Sequence, residues 1–302
     1  MKLFGCLLTA ASLSVGVAAA EPRSTFSFAH LFSNDFIGDG QDRWHTGAYV
    51  FSILKELSHS LDVELNGANA VLEFRFRSEI IAPSNLVHPT SYDRPYAGIL
   101  SLGVHRYSQL NNIETALGVD LVMVGNQTGM LRFQSDFHRL FGAGDFGTLP
   151  QISNAIYPTM LGELAKSIEL SEAASVRPFV EAQAGVETFV RGGVDFELGR
   201  TCLGQFKIRD VATGQRYPAF ACKDSPSIIA SMGLDVARVF DSHYLPTTMG
   251  PGFSSTRSRI RLGLHHTGRL GSIFYGLTWL GEEFHGQPGR QLVGSVSVSL
   301  RF

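Results

Sequence analysis

The chain has 302 residues, 44% of them hydrophobic and 17% charged, with a formal net charge of −2 at pH 7. That near-balance gives no support to general nucleic-acid binding, and after the first twenty residues no stretch offers the ~18 uninterrupted apolar positions of a membrane helix. No linker, charge run or low-complexity tract divides the remainder, so residues 21–302 are expected to form a single domain.

Met1–Ala20 opens on Lys2, continues through Leu3–Leu8 and Ala10–Val17, and ends in Ala18-Ala19-Ala20 before Glu21. Charge, short apolar core and small-residue cleavage site in that order read as a secretory signal peptide. Its removal takes one of the 25 basic residues and none of the 27 acidic ones, leaving a net charge of −3, and discards Cys6. Cys202 and Cys222 remain, both inside the polar stretch Arg200–Ser225. In an exported chain this pair predicts a structural disulfide.

From Thr25 onward the dominant signal is two-residue alternation. Strands are predicted at Thr25–Phe32, Thr46–Ser58, Asn69–Ile81, Ile99–Ser108, Glu114–Val124 and Met160–Leu170. They continue at Val176–Val190, Gly192–Leu198, Ser227–Val239, Arg257–His266, Gly271–Gly281 and Leu292–Phe302. In the third, Leu72, Phe74, Phe76 and Ile80 oppose Glu73, Arg75, Arg77 and Glu79; in the tenth, Ile260, Leu262 and Leu264 oppose Arg259, Arg261 and His265. A soluble sandwich would turn the apolar face inward, whereas an outer-membrane barrel turns it toward lipid and encloses the charges. The export signal, the 32 glycines, the aromatics near strand ends (Trp44, Tyr49, Tyr96, Tyr107, Tyr275, Trp279) and the terminal Phe302 favour the barrel. At ~9–11 residues per tilted strand the chain holds about twelve, an all-β antiparallel transmembrane β-barrel. A closed barrel has no free sheet edge, so a monomer is expected.

Asn126–Gly142 breaks the rhythm. Phe133, Phe137 and Phe141 recur four apart, as do Gln134 and His138, which predicts an amphipathic helix whose polar pair faces a wall. A lone histidine there serves as a surface side chain or as a base. The Gly142–Gly147 stretch matches G-x-G-x-x-G but follows a helix, so dinucleotide binding fails on context.

Two other stretches carry candidate chemistry. The first predicted strand runs into Ser33-Asn34-Asp35, followed by Asp39, Asp42 and Arg43-Trp44-His45-Thr46-Gly47. Asn and Asp beside glycines are ordinary turn residues, yet a carboxylate and an amide oxygen also suit Ca²⁺. Asp93-Arg94-Pro95 reads either as a turn tied by an Asp93–Arg94 pair or as a phosphate- or carboxyl-binding Arg94.

The succession Asn34-Asp35, Thr46-Gly47, D-R-P-Y-A-G (Asp93–Gly98) and G-x₈-Q-x₃-H-R-L-x-G (Gly125–Gly142) resembles the LpxR family of outer-membrane lipid A 3′-O-deacylases, over Phe28 to about Asn154. The resemblance implies a twelve-stranded barrel in the bacterial outer membrane, with a Ca²⁺-dependent esterase site between the wall and a helix near the outer face. Its substrate would be lipid A, or the lipopolysaccharide carrying it, in the outer leaflet. By position, His138 falls on the family's catalytic histidine, Asn34 and Asp35 on its Asn-Asp pair with Asp35 as metal ligand, and Thr46 on its active-site hydroxyl. Arg94 and Gln134 are candidate substrate contacts. One departure stands out: where the family has a functional acid shortly after the histidine, this chain has Gly144, with Asp145 next to it. The other expectation is therefore a non-catalytic barrel, a small pore or a surface scaffold.

Overall fold

Side-chain polarity runs opposite to that of a soluble protein. Phe74 is 47% and Phe76 37% exposed, while Glu73, Arg75, Arg77 and Glu79 between and beside them are buried. The computed structural model describes residues 26–57, 70–140, 146–199, 206–220, 227–268 and 270–300. The predicted signal peptide, Cys202 and Cys222 with their expected disulfide, and Gly144 with Asp145 lie outside the described residues.

In chain order the strands are β1 (Phe26–Asn34), β2 (Trp44–Leu57), β3 (Ala70–Ala82), β4 (Ala97–Leu110), β5 (Ile113–Val124), β6 (Ala155–Ala165), β7 (Ile168–Ser171) and β8 (Ala174–Ala184). There follow β9 (Glu187–Leu198), β10 (Phe206–Arg209), β11 (Arg216–Phe220), β12 (Ser227–Ser242), β13 (Thr256–Gly268), β14 (Gly271–Leu280) and β15 (Gln291–Leu300). Antiparallel neighbours pair in sequence, β1 pairs with β15, and β6 meets β8. Because β7 continues the line of β6 along β8, the sheet closes as a barrel of twelve staves. Closure leaves each of the twelve staves flanked on both sides.

The connections 35–43, 83–96, 125–154, 243–255 and 281–290 gather at one rim, and the two ends of the barrel sheet lie at the other. In outer-membrane barrels the rim with the longer loops faces outward. At the opposite rim β4 turns into β5 through Asn111 and Asn112, both at positive φ (49° and 63°), which asparagine tolerates in a tight hairpin.

The stretch that the sequence presents as a polar loop holds the hairpin β10–β11, which enters the lumen from the rim opposite the long loops. Ile208, Tyr217 and Ala219 pack on the inward-facing Ala29, Leu31, Leu54, Val71 and Phe274. Gln215 Nε2 donates to the carbonyls of Leu262 and Leu277 at 3.1 Å each. The Arg209 guanidinium spans Glu163 at 2.6 Å and Asp195 at 2.7 Å.

Several sequence-based boundaries shift. The predicted strand Val176–Val190 is two strands, β8 and β9, joined at Gly185 and the buried Val186; even-numbered residues such as Val180 on β8 and Val190 on β9 face outward on both sides of the turn, so alternation does not register it. The predicted Gly192–Leu198 is the second half of β9, and β6 begins at Ala155, ahead of the predicted Met160. Of the six strand-end aromatics, Tyr49, Tyr275 and Trp279 face outward, whereas Trp44 and Tyr96 are buried under the outer loops.

Candidate active site

Asn34 closes β1 on the same face as the exposed Phe26, Phe28 and Phe32, so it looks outward, toward lipid. On β2 the parity of Tyr49 would turn Thr46 into the lumen. A bulge between His45 and Gly47 breaks that parity, and re-aiming a side chain is what a bulge does. His45 points inward to Glu79 and Glu283, at 2.9 and 3.0 Å. Thr46 points the other way, where its backbone carbonyl accepts the Asn34 side-chain amide.

Over this patch lies α1 (Met130–Leu140), entered through a 3₁₀ turn at Asn126–Thr128. Met130 and Leu131 pack on Ile80, Ala82, Leu86, Tyr96 and Leu149, a cluster that includes outward positions of β3. Gly98 permits the approach, because a Cβ there would stand 2.6 Å from Thr128 Oγ1 and 2.8 Å from Met130 Cβ. As the four-residue spacing predicts, Gln134 and His138 face the barrel while Phe133, Phe137 and Leu140 stay exposed. Gln134 Nε2 donates to Thr46 Oγ1 at 3.3 Å. His138 Nε2 lies 3.0 Å from Asp42 Oδ2, with the imidazole edge-on to Phe146 at 4.8 Å.

Asp35, at the start of the 35–43 loop, is fully buried. Its carbonyl caps the turn by accepting from Gly38, Asp39 and Gly40 N–H. Its Oδ2 accepts from Arg43 N–H at 2.7 Å and from Gln291 Nε2 at 3.4 Å. Its Oδ1 is buried with no hydrogen-bond partner among the described residues. Burial, with Asp42 and Asp39 nearby, pushes the carboxyl up to about 7. A buried carboxylate oxygen left open fits a hard cation. No trio of His, Cys, Asp and Glu converges among the described residues, so amide, carbonyl or water oxygens would complete the coordination.

Arg94 is placed elsewhere. It is buried in the lumen mouth, where Nη1 donates to Glu283 Oε2 at 2.6 Å. The expected Asp93–Arg94 side-chain pair does not form: Asp93 instead accepts from Trp44 Nε1, Ser84 and the Arg94 backbone N–H. The structure thus brings Asn34, Thr46, Gln134 and His138 to one outer-wall patch, buries Asp35 in the adjoining rim loop against Gln291, and leaves Arg94 on the lumen side. In the sequence Asp42 reads only as a loop acid and Gln291, which ties β15 to the loop, carries no signal; neither belongs to a local motif, and only tertiary contact reveals them.

A family model described as "Outer membrane protein LpxR" matches residues 3–302. Among solved structures, LpxR from Salmonella typhimurium superposes with a TM-score of 0.70 at 20% identity, covering 90% of this chain and 99% of that one. The β domain of the Bordetella autotransporter BrkA gives a TM-score of 0.43 at 10% identity, covering 92% of this chain and 100% of its own. No curated protein sequence matches the chain.

Proposed function

The chain belongs to the LpxR family of outer-membrane proteins, and from that premise we propose that it hydrolyses the 3′-linked acyloxyacyl ester of lipid A in the outer leaflet. The observation that carries this reading is where the polar patch lies. Asn34, Thr46, Gln134 and His138 gather on the lipid-facing wall at the outer rim, beneath a helix with exposed phenylalanines. A lipid in the outer leaflet reaches such a patch sideways, without entering the lumen.

Ester hydrolysis needs an activated water and a stabilised oxyanion. His138 takes a proton from water, whose oxygen attacks the ester carbonyl; when the tetrahedral intermediate collapses, the same ring returns the proton to the departing alkoxide. Thr46 Oγ1 accepts from Gln134, which leaves its own hydroxyl hydrogen to orient the water. The Asn34 amide has two N–H donors; one is held by Thr46 O and the other is available to the developing oxyanion. A calcium ion held by Asp35 would supply positive charge that polarises the carbonyl. The pore reading is weighed down by β10–β11, which enters the lumen and packs against β1, β2, β3 and β14.

Mass spectrometry of lipid A incubated with the detergent-purified protein, with and without Ca²⁺, tests the proposal. Loss of one acyloxyacyl unit is expected with metal and is abolished in His138→Ala. Unchanged lipid A under conditions where a family member cleaves it would leave a non-catalytic barrel.

A further inference from the structure

Gly144 stands where the resemblance to the family places an acid after the histidine. A carboxylate reaches His138 from another part of the chain: Asp42 Oδ2 lies 3.0 Å from its Nε2. We propose that Asp42 is the positioning residue of His138, accepting the Nε2–H and so placing the base's lone pair on Nδ1. This rests on the ester-hydrolase reading above and assigns the atom through which its proton moves.

Asp42 is held in place by its neighbours. Arg43, the next residue, has its N–H bound by Asp35 Oδ2 at 2.7 Å and its carbonyl by Gln291 Nε2 at 2.5 Å. Trp44 follows at φ 54°, an unusual angle for a bulky residue. It is kept there by burial, by its edge contact with Phe284 and by Asp93. The chain is therefore clamped directly after Asp42. The other acids nearby serve other partners. Asp39 accepts from Gln41 N–H at 3.1 Å and Leu292 N–H at 3.3 Å, and pairs with Arg43. Asp136 pairs with Arg132 and Arg139 on the exposed side of α1.

A neutral imidazole carries one N–H, and the group that accepts it decides which nitrogen is the base. With Nε2–H on Asp42, Nδ1 takes the proton from water. The ring is then doubly protonated, stabilised by the Asp42 carboxylate, until Nδ1–H passes its proton to the alkoxide released by cleavage of the ester C–O bond. Water is the only co-reactant.

Two measurements on the full-length protein in detergent micelles test this. The first is lipid A hydrolysis by Asp42→Asn and Asp42→Glu. Asp42→Asn is expected to lower kcat on the order of 100-fold or more with KM nearly unchanged, as for other histidine-orienting carboxylates; Asp42→Glu should recover part of it. The second is ¹⁵N NMR of histidine-labelled protein without substrate, with His138 assigned by its loss in His138→Ala. Wild type should show the Nε2–H tautomer, and Asp42→Asn should lose that single form. A wild-type kcat in Asp42→Asn, or an Nδ1–H tautomer in wild type, would overturn the assignment. If no variant or wild type cleaves lipid A, the ester reading fails, while the tautomer still decides whether Asp42 orients the ring.

Discussion

Asp35, fully buried, and Glu283, partly buried, are carboxyls at the outer rim that their surroundings push in opposite directions. Burial, reinforced by Asp42 and Asp39, moves Asp35 up to about 7, against about 4 in an unfolded chain. A folded value above the unfolded one means that the fold prefers the protonated acid. Stability from that preference is complete below pH ~4 and is lost as pH rises toward 7. In EDTA, urea unfolding of wild type should therefore weaken across this range, on the order of 4 kcal/mol in total, and Asp35→Asn should flatten the slope; a slope that survives the substitution belongs to another group. Burial would raise Glu283 too, but His45, Arg94 and Arg257 hold it well below the usual carboxylate range. Its contribution is present above the unfolded value of ~4.3 and is lost as pH falls through the depressed folded one. Glu283→Gln should accordingly cost about 3–5 kcal/mol near neutral pH, the range for removing one partner of a buried pair. The gap to wild type should narrow in strong acid, as followed by unfolding at several pH values.

At the scale of elements, what the sequence discloses depends on whether the chemistry is periodic. Alternation survives the inversion of inside and outside, so β3 and β13 are legible as strands with Arg75, Arg77, Arg259 and Arg261 on one face. The four-residue spacing of Gln134 and His138 likewise locates α1 and its wall-facing side. Thr46 is legible as a candidate only through family resemblance, because the bulge that turns it outward leaves no mark in the local pattern. The hairpin β10–β11 is hidden for another reason: its two strands are four and five residues long, too short for alternation to declare itself. Asp42 and Gln291 emerge only from tertiary contact. The seat of α1 gives a direct test. Gly98→Ala places a methyl within 2.6 Å of Thr128 Oγ1 and 2.8 Å of Met130 Cβ, so the 3₁₀ turn and the helix it starts must lift from the wall. Gln134 and His138 ride on that helix, and a misplacement of ~1 Å costs on the order of 100-fold in rate. Lipid A hydrolysis should fall by about that factor while the heat-modifiable migration of the barrel stays as in wild type. Unchanged hydrolysis would mean that α1 does not position the reacting groups.

At the scale of the whole molecule, the candidate site sits on the outer wall and the hairpin β10–β11 occupies part of the lumen. Strand-borne pairs such as Glu73–Arg75, Arg77–Glu79 and Arg261–Asp195 occupy the inner surface, and β10–β11 enters the space between them, beside a cavity of about 370 Å³ lined by Arg75, Glu163, Arg177 and Arg209. The hairpin is anchored by charge as well as by packing, since Arg209 serves Glu163 and Asp195 while Arg177 also reaches both. Arg209→Ala would leave those carboxylates one buried cation short, and about 3–5 kcal/mol of destabilisation is expected. Replacing residues 206–220 with a short Gly-Ser segment removes Ile208, Tyr217, Ala219 and Gln215 together. The sheet itself still closes, because its ladders run between the twelve staves and none passes through the hairpin. The product should be a folded barrel with a wet, ion-pair-lined passage. In planar bilayers it should give discrete conductance steps where wild type gives none, and it should still hydrolyse lipid A, because the outer-wall patch takes no side chain from residues 206–220. Equal conductance in the two proteins would show that the hairpin does not seal the lumen; loss of hydrolysis in a folded deletion variant would show that the lumen supports the outer wall from within.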